Sequence, residues 1–574
     1  MLTQKERTPH KPHRINIDPR RMKFGDPISY KVIGLPGTGK TTFLINSVEE
    51  MLKHGIAMDD ILYCSHTKAA VHEVIERLTR KFPKSEPISR TVKTIHAMSY
   101  QLVKANTVVK DLGRKPKREF LESFLTTSDY EVIEEFEENQ EDDPDWNYRR
   151  YSFDDLFRLS STLQLAVPDG DPTQLIDTIT DFWLELVDRD IEQELVQLSF
   201  NFHMQYLNFK QSNDYFEFED LLSYVMSHEL YPSRRVLIMD EFQDCSPLQF
   251  EIYKLWASKM QLSIIAGDPN QAIYGFQNST PHFLLSHHVS ELEIVLNTSY
   301  RLPPKIVELA QQQMASSKYM TDYQSDISID YEGSVDRITL SDLVVHEGSA
   351  FILVRTNSQM DWVSTKLTEQ GILHTTDKKT IPKDLLTKLE EWYPILFQIY
   401  HKRFSGEDII NLMSLCQPAP PNTVGKRNHV FRQEDIAHIK SQLQAHTLNL
   451  EKLLQIIDLE KHEFFKLIIR YIDKRLEPII LMGLEKQFLP TQVIGSITNT
   501  RLMTIHKSKG KEADTVILVD KATYYERQGR EDSEEERRVW YVGITRAKKR
   551  LVILSLGDSH TKYIDGDDEE DDDE

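Results

Sequence analysis

At 574 residues the chain is too long for one compact core, and at roughly 100–200 residues per domain it should divide into about three to five units. A hydrophobic share of 40% beside 28% charged residues excludes a wholly disordered or fibrous chain. Three scattered cysteines, Cys64, Cys245 and Cys416, exclude a disulfide scaffold and a cysteine-rich zinc module and fit a reducing compartment. The formal charge of −21 argues against nucleic acid only until its distribution is read. Residues 131–145 and 565–574 each carry nine acidic groups and no Lys or Arg. Without them the chain is nearly neutral, so a local basic groove remains open to it. The acidic tail, 561–574, reads as solvated and disordered, and its charge would also suit a basic protein partner. No apolar run is long enough to span a membrane, and the opening MLTQKERTPHKPHR has no apolar leader core, so a cytoplasmic protein is expected, in a bacterium or a virus-infected host cell.

In chain order, 1–23 reads as a polar, basic arm with Pro9, Pro12 and Pro19. Ile28–Leu35 reads as a strand entering a Gly-rich turn, followed by a helix over Thr41–Leu52. A strand at 61–65, a helix over Lys68–Leu78 and a strand over 90–95 come next. Such alternation implies a parallel sheet with helices on both faces. Helical periodicity then fills 105–225, around the acidic stretch. Strand patterns return at RVLIMD (235–240) and LSIIAG (262–267), and again at AFILVR (350–355), with a helix through Leu367. A second helical stretch covers about 380–490. DTVILVD (514–520), a helix near 534–547 and RLVILSL (550–556) close the chain. The fold class expected is α/β: two blocks, each interrupted by a mostly helical insertion.

Two segments carry chemistry. Gly34-Leu35-Pro36-Gly37-Thr38-Gly39-Lys40-Thr41 matches GxxxxGKT between a predicted strand and a predicted helix. Glycines let consecutive backbone N–H groups face a phosphate chain, and the helix N-terminus adds partial positive charge. Lys40 would neutralise the terminal phosphate oxygens and the Thr41 hydroxyl would ligate Mg²⁺. The second segment is Asp240-Glu241-Phe242-Gln243-Asp244, at the end of an apolar strand. Two carboxylates in that place are costly unless a cation is near. Asp240 is suited to hold Mg²⁺ and Glu241 to activate the attacking water. ATP and Mg²⁺ are therefore the expected cofactors.

Later segments, in order, give these two their specificity. ILYCSHTKAA (61–70), TIHAMS (94–99), AGDPNQAIYGF (266–276), LNTSYR (296–301), AFILVRTNSQ (350–359), LMTIHKSKGKEADTVIL (502–518) and EERRVWYVGITRAKKRLVI (535–553) resemble motifs Ia, Ib, III and IV, the following strand–helix segment, and motifs V and VI of superfamily 1A helicases of the UvrD/Rep/PcrA type. The resemblance runs over about residues 30–556. It implies two RecA-like P-loop domains: 1A in 1–104 and 200–285, 2A in 286–384 and 491–560. Insertion 1B would be 105–199, and a reduced 2B would be 385–490.

The resemblance also implies roles. Gln271 is similar to the family's γ-phosphate sensor, and Arg301 and Arg546 to its arginine fingers. Tyr300 resembles the residue stacked on adenine, Glu512 the acid at the ribose. Tyr274 and Phe276 resemble stacking aromatics on a single-strand track, and Thr94, His96, Thr504, His506 and Lys507 resemble backbone contacts. The implied partners are single-stranded DNA and single-strand/duplex junctions, with 3′-to-5′ movement; RNA as the track, translocation without unwinding and a regulatory scaffold with a weak ATPase are the alternatives. The chain departs from the pattern in four places. Cys64-Ser65-His66-Thr67 stands where relatives often have Thr-Phe-Thr-Asn, leaving His66 as the candidate base contact. Thr42 stands in place of an adenine-stacking Arg. No upstream Gln motif is found, and Gly275 and Gln277 occupy positions often held by Arg.

Overall fold

The computed structural model describes residues 27–83, 88–111, 113–127, 153–187, 193–275, 280–315, 317, 323–326, 328–343, 349–370, 372, 374–376, 383–401, 405–416, 433–444, 448–522, 533–556 and 561. Phe276, the acidic stretch at 131–145 and all of the acidic tail but Thr561 lie outside them, as does the N-terminal arm.

Two all-parallel sheets organise the chain. The first contains β1 (Ile28–Gly34), β2 (Ile61–Cys64), β3 (Val92–Lys93), β4 (Val236–Met239), β5 (Leu262–Gly267) and β6 (Leu292–Leu296), in the order β3-β2-β4-β5-β1-β6. The second contains β7 (Ser334–Thr339), β8 (Ala350–Val354), β9 (Thr500–Thr504), β10 (Ala513–Asp520) and β11 (Ala547–Ser555), in the order β7-β11-β10-β8-β9. Their central strands read as unbroken apolar runs because helices cover both faces. β4 and β5 are buried along their whole length.

Four expectations need correcting. The strand expected over 90–95 shrinks to Val92–Lys93, because the Thr94 hydroxyl accepts from Ala97 N and caps a helix that starts at Ile95. Leu292–Leu296, expected to open the second block, instead pairs with β1, so the first sheet runs past the boundary drawn at 285. The boundary at 199/200 cuts the helix Gln193–Asn213, and that at 490/491 cuts off the helix Pro490–Asn499, whose Val493 packs into the second helical core.

The helical regions have cores of their own. Phe120, Phe124, Phe157, Trp183, Phe202 and Tyr206 form an aromatic cluster in the first. Burying each such ring is worth about 1.5–3 kcal/mol relative to exposure. Leu389, Tyr393, Phe464, Phe465 and Ile468 anchor the second. No helix among the described residues is long and apolar enough to cross a membrane.

Candidate functional site

Function in open parallel sheets gathers outside the carboxyl ends of the strands. At the first sheet three segments meet there: the turn after β1, the acidic segment after β4 and the Asp268–Gln271 turn after β5. The turn after β1 is built around two left-handed glycines, Gly37 at φ +75° and Gly39 at φ +83°. It leads into the helix Lys40–Lys53. A side chain at Gly34 would stand 2.4 Å from Lys40 Cγ, so glycine is required for the lysine to fold back over the turn. There Lys40 Nζ donates to Gly34 O at 2.6 Å, and Thr38 Oγ1 donates to Leu35 O at 2.8 Å.

Thr41 Oγ1 donates to Asp240 Oδ2 at 3.2 Å, bringing together two residues 199 positions apart. Glu241 N donates to the other oxygen, Oδ1, at 3.0 Å. Burial, and then the Glu241 carboxylate, push the Asp240 carboxyl up to about 6. Glu241 stands at φ +57°, a left-handed conformation that costs a non-glycine residue of order 1–3 kcal/mol. Gln243 Nε2 donates to its Oε2 at 2.8 Å, while Gln243 Oε1 accepts from Asp268 N at 3.0 Å. Burial raises the Glu241 carboxyl, but Lys40 and Lys509 outweigh it and hold the group below its ordinary range.

The second sheet faces this site with the amino ends of β10 and β11. Glu512 and Arg546 each immediately precede one of these strands, whose first residues, Ala513 and Ala547, are paired. Arg546 is buried, and its Nη2 donates to Gln271 Oε1 at 3.1 Å across the two lobes. Gln271 in turn donates from Nε2 to Asp268 Oδ2 at 2.7 Å. Burial and the neighbouring Arg301 lower the Arg546 guanidinium to about 10, still charged at neutral pH. Arg301 donates to Glu512 Oε2 at 3.1 Å and to Thr545 O at 3.2 Å. The segment before it lies on the Gly-rich turn: Tyr300 N donates to Gly37 O at 2.9 Å and Ser299 Oγ to Pro36 O at 2.9 Å. A side chain at Gly37 would come within 2.5 Å of Ser299 Oγ. Tyr300 presents an exposed ring beside the turn. Thr42 is exposed, and Arg77 of the helix Lys68–Lys81 reaches its hydroxyl at 3.5 Å.

The lobes are packed together around this set. Leu35 and Ile273 of the first lobe lie in one apolar cluster with Leu302, Ile306, Met503 and Ile505. Lys509 bridges to Asp244 at 2.5 Å and also donates to Gln271 O. Burial raises the Asp244 carboxyl to about 6 against the pull of Lys509. From the helix Ser533–Ile544, Arg538 Nε donates to Ala272 O at 2.9 Å and Glu535 Oε1 accepts from Gly275 N at 2.9 Å. Glu535 fills the space a side chain at 275 would need, which explains glycine there.

The remaining expected residues come from both lobes. Thr94 and Thr504 spend their hydroxyls as helix caps. His96 lies edge-on to Phe218 at 6.3 Å, its Nε2 buried without a partner. Phe218 is 62% exposed, and sequence reasoning passed over it; its signal was a large aromatic at the start of an acidic helix turn. His66 is half-buried, with Nε2 3.4 Å from Cys245 Sγ, and burial lowers its imidazole to about 4. Tyr274 packs on the second-lobe core with Lys509 5.0 Å over its ring, so one of its faces is already covered. His506 Nε2 lies 3.0 Å from Ile273 O, and Lys507 is exposed.

The set fits a triphosphate with a hard divalent cation. Arg301 Nε is buried with no partner, a donor left open for an anion. A hydroxyl and a carboxylate oxygen, from Thr41 and Asp240, are the donor types Mg²⁺ prefers.

Two family models match the chain. The model for the UvrD/REP helicase N-terminal domain matches residues 28–290, and the model for the UvrD-like helicase C-terminal domain matches 401–557. The chain belongs to the UvrD/Rep helicase family. The matches take in the first sheet, apart from its edge strand β6, and three strands of the second. Among similar proteins, the putative ATP-dependent DNA helicase YjcD of Bacillus subtilis (strain 168) is 23% identical over 91% of this chain and 76% of its own length. The ATP-dependent DNA helicase Rep of Buchnera aphidicola subsp. Acyrthosiphon pisum is 20% identical over 90% of this chain and 91% of its own length.

Proposed function

We propose that the chain is an ATP-driven motor that moves 3′-to-5′ along single-stranded DNA and opens duplexes at single-strand/duplex junctions. The observation carrying this reading is the reach of Arg546, on the second lobe, to Gln271, on the first, at 3.1 Å. A group whose position depends on both lobes can convert loss of a terminal phosphate into lobe movement.

In this reading Lys40 and the Gly34–Thr41 backbone cradle the phosphates, and Thr41 and Asp240 hold Mg²⁺. When bound, the cation would supply charge neutralisation to the phosphates. Glu241 takes the proton of the attacking water. Gln271, Arg301 and Arg546 meet the terminal phosphate, and Arg301 exchanges its contact with Glu512 for that anion. Tyr300 stacks on the base, and Glu512, once released, meets the ribose. Thr94, His96, Thr504, His506 and Lys507 line the strand's path, with Tyr274, Phe276 and His66 as further base contacts. Phe218 joins them as an exposed stacking face.

The reading is tested by measuring ATP hydrolysis with and without single-stranded DNA and RNA, followed by unwinding of 3′- and 5′-tailed duplexes. DNA-stimulated hydrolysis with opening of the 3′-tailed substrate is expected. Translocation without strand separation would leave a motor that clears bound proteins, and hydrolysis indifferent to either nucleic acid would defeat the proposal. Lys40→Ala is expected to abolish ATP turnover, since the phosphate charge loses its main compensating cation; unimpaired turnover would refute the site assignment. Phe218→Ala is expected to weaken single-stranded DNA binding about 5- to 100-fold, the worth of one stacked base. Fluorescence anisotropy with an oligothymidylate measures it, and wild-type affinity would return Phe218 to the ordinary surface.

A further inference from the structure

β2 was read from the sequence as a plain core strand, and its four residues are indeed buried. One of them does more than fill space. Tyr63 is wholly buried, and its ring sits in the first lobe's apolar core with Val32, Phe43, Ile238 and Ile264. A buried phenol needs a hydrogen-bond partner for its hydroxyl. Here the partner is Asp240: Tyr63 OH donates to Oδ2 at 2.8 Å. Strand pairing makes this possible. Tyr63 is in register with Ile238 on β4, so its long side chain reaches the carboxyl end of that strand, where Asp240 begins.

We propose that Tyr63 is a positioning residue for the cation that accompanies the nucleotide, fixing the Asp240 carboxylate in the orientation that lets it act together with Thr41. The proposal rests on the nucleotide-site reading above and deepens it.

Three donors converge on the Asp240 carboxylate. Glu241 N takes Oδ1 at 3.0 Å, and Tyr63 OH and Thr41 Oγ1 share Oδ2 at 2.8 and 3.2 Å. The backbone donor and the phenol bind one oxygen each, and Thr41 stands at the start of the helix Lys40–Lys53. The side chain is thus held at both oxygens before any cation arrives. Without the phenol, Oδ2 would keep only the Thr41 hydroxyl, a group that must itself turn a lone pair to the metal. Glu241 N on Oδ1 would then be the donor left to orient the carboxylate, a looser hold on a torsion that is broad and weakly restrained. Partners that orient a metal-holding group typically matter about 10- to 100-fold in metal affinity. A purely structural Tyr63 would be indifferent to the metal.

The test uses the full chain with an N-methylanthraniloyl-labelled ADP. Affinity is measured first in EDTA and then across a MgCl₂ titration, for the wild type and Tyr63→Phe. The Mg²⁺ concentration at half-maximal tightening is expected to rise about 10-fold in the variant, with the EDTA affinity unchanged. An unshifted Mg²⁺ midpoint overturns the proposal, and so does an equal loss of affinity with and without Mg²⁺, which would mean only damage to the core. Melting temperatures without nucleotide are recorded alongside. If Tyr63→Phe does not fold, Tyr63→Leu must give the same metal shift in its folded fraction, and an unshifted midpoint there is equally fatal. A wild-type chain whose nucleotide affinity ignores Mg²⁺ would instead remove the site reading on which the proposal stands.

Discussion

Glu241→Gln is expected to bind ATP as the wild type does and to hydrolyse it about 10²–10⁴ times more slowly, the usual worth of a positioned general base. The argument starts from placement. The backbone at Glu241 is held at φ +57° directly after β4, and Gln243 ties one carboxylate oxygen to the turn after β5. Burial raises the Glu241 carboxyl, but Lys40 and Lys509 outweigh that and hold it below its ordinary range, which suits a group that must accept a proton. Glutamine retains the shape and can still meet Gln243 through its own amide oxygen. It removes the charge, and with it one of the forces that raise the Asp240 carboxyl. Metal-dependent binding of nucleotide should therefore persist or tighten while chemistry stops. Single-turnover hydrolysis beside equilibrium binding of a fluorescent ATP analogue separates the two. Normal hydrolysis would strip Glu241 of the role, and lost binding would move it to holding the cation.

How much of this was legible beforehand follows from the kind of information each residue carries. Strands buried on both faces announce themselves as apolar runs, so Leu262–Gly267 and Ala513–Asp520 could be placed within a residue or so. Ser334–Thr339 could not, because an edge strand with none of its residues fully buried keeps Asp336 and Arg337 among its six residues and breaks the pattern. Leu292–Leu296 drew no strand reading from the sequence, and only its pairing with β1 says which sheet it joins. The Gly-rich turn and the acidic segment were each legible because their chemistry is local. That Thr41 and Asp240 would touch followed from their expected shared ligand, and the structure brings them together. Tyr63 was hidden in a run of core residues, since nothing in ILYC distinguishes a phenol that reaches an acid 177 positions away from one that merely fills the core. Lys509 and Glu535 were quoted inside motifs without a task, and their partners, Asp244 and the Gly275 backbone, belong to the other lobe. Contacts across the cleft depend on how two separately folded sheets meet, which no local spacing encodes.

The same cross-cleft dependence makes Arg546→Ala the second large effect: turnover should fall by about 10³-fold or more, in the range seen when an arginine finger is removed. Arg546 is held by its own lobe through Nε on Val542 O at 2.9 Å and Nη1 on Lys511 O at 3.4 Å, leaving Nη2 to span to Gln271. That division of labour fixes the guanidinium before the nucleotide arrives, so little reorganisation is required when charge develops on the transferred group. Arg546→Lys keeps a positive charge but cannot reproduce four directed contacts, to Val542 O, Lys511 O, Gln271 Oε1 and Thr545 Oγ1, and it should recover only a small part of the activity. The decisive measurement pairs turnover with single-stranded DNA affinity in the presence and absence of a nonhydrolysable ATP analogue. In the wild type the analogue should change DNA affinity, because in the proposed reading Arg546 and Gln271 join the terminal phosphate to the turn that carries Tyr274. In Arg546→Ala the two affinities should converge while ATP still binds through Lys40 and Thr41. A variant that loses thermal stability but keeps both turnover and the nucleotide-dependent change in DNA affinity would reduce Arg546 to a packing cation, and the coupling of hydrolysis to movement would have to run through Arg301 or Lys509 instead.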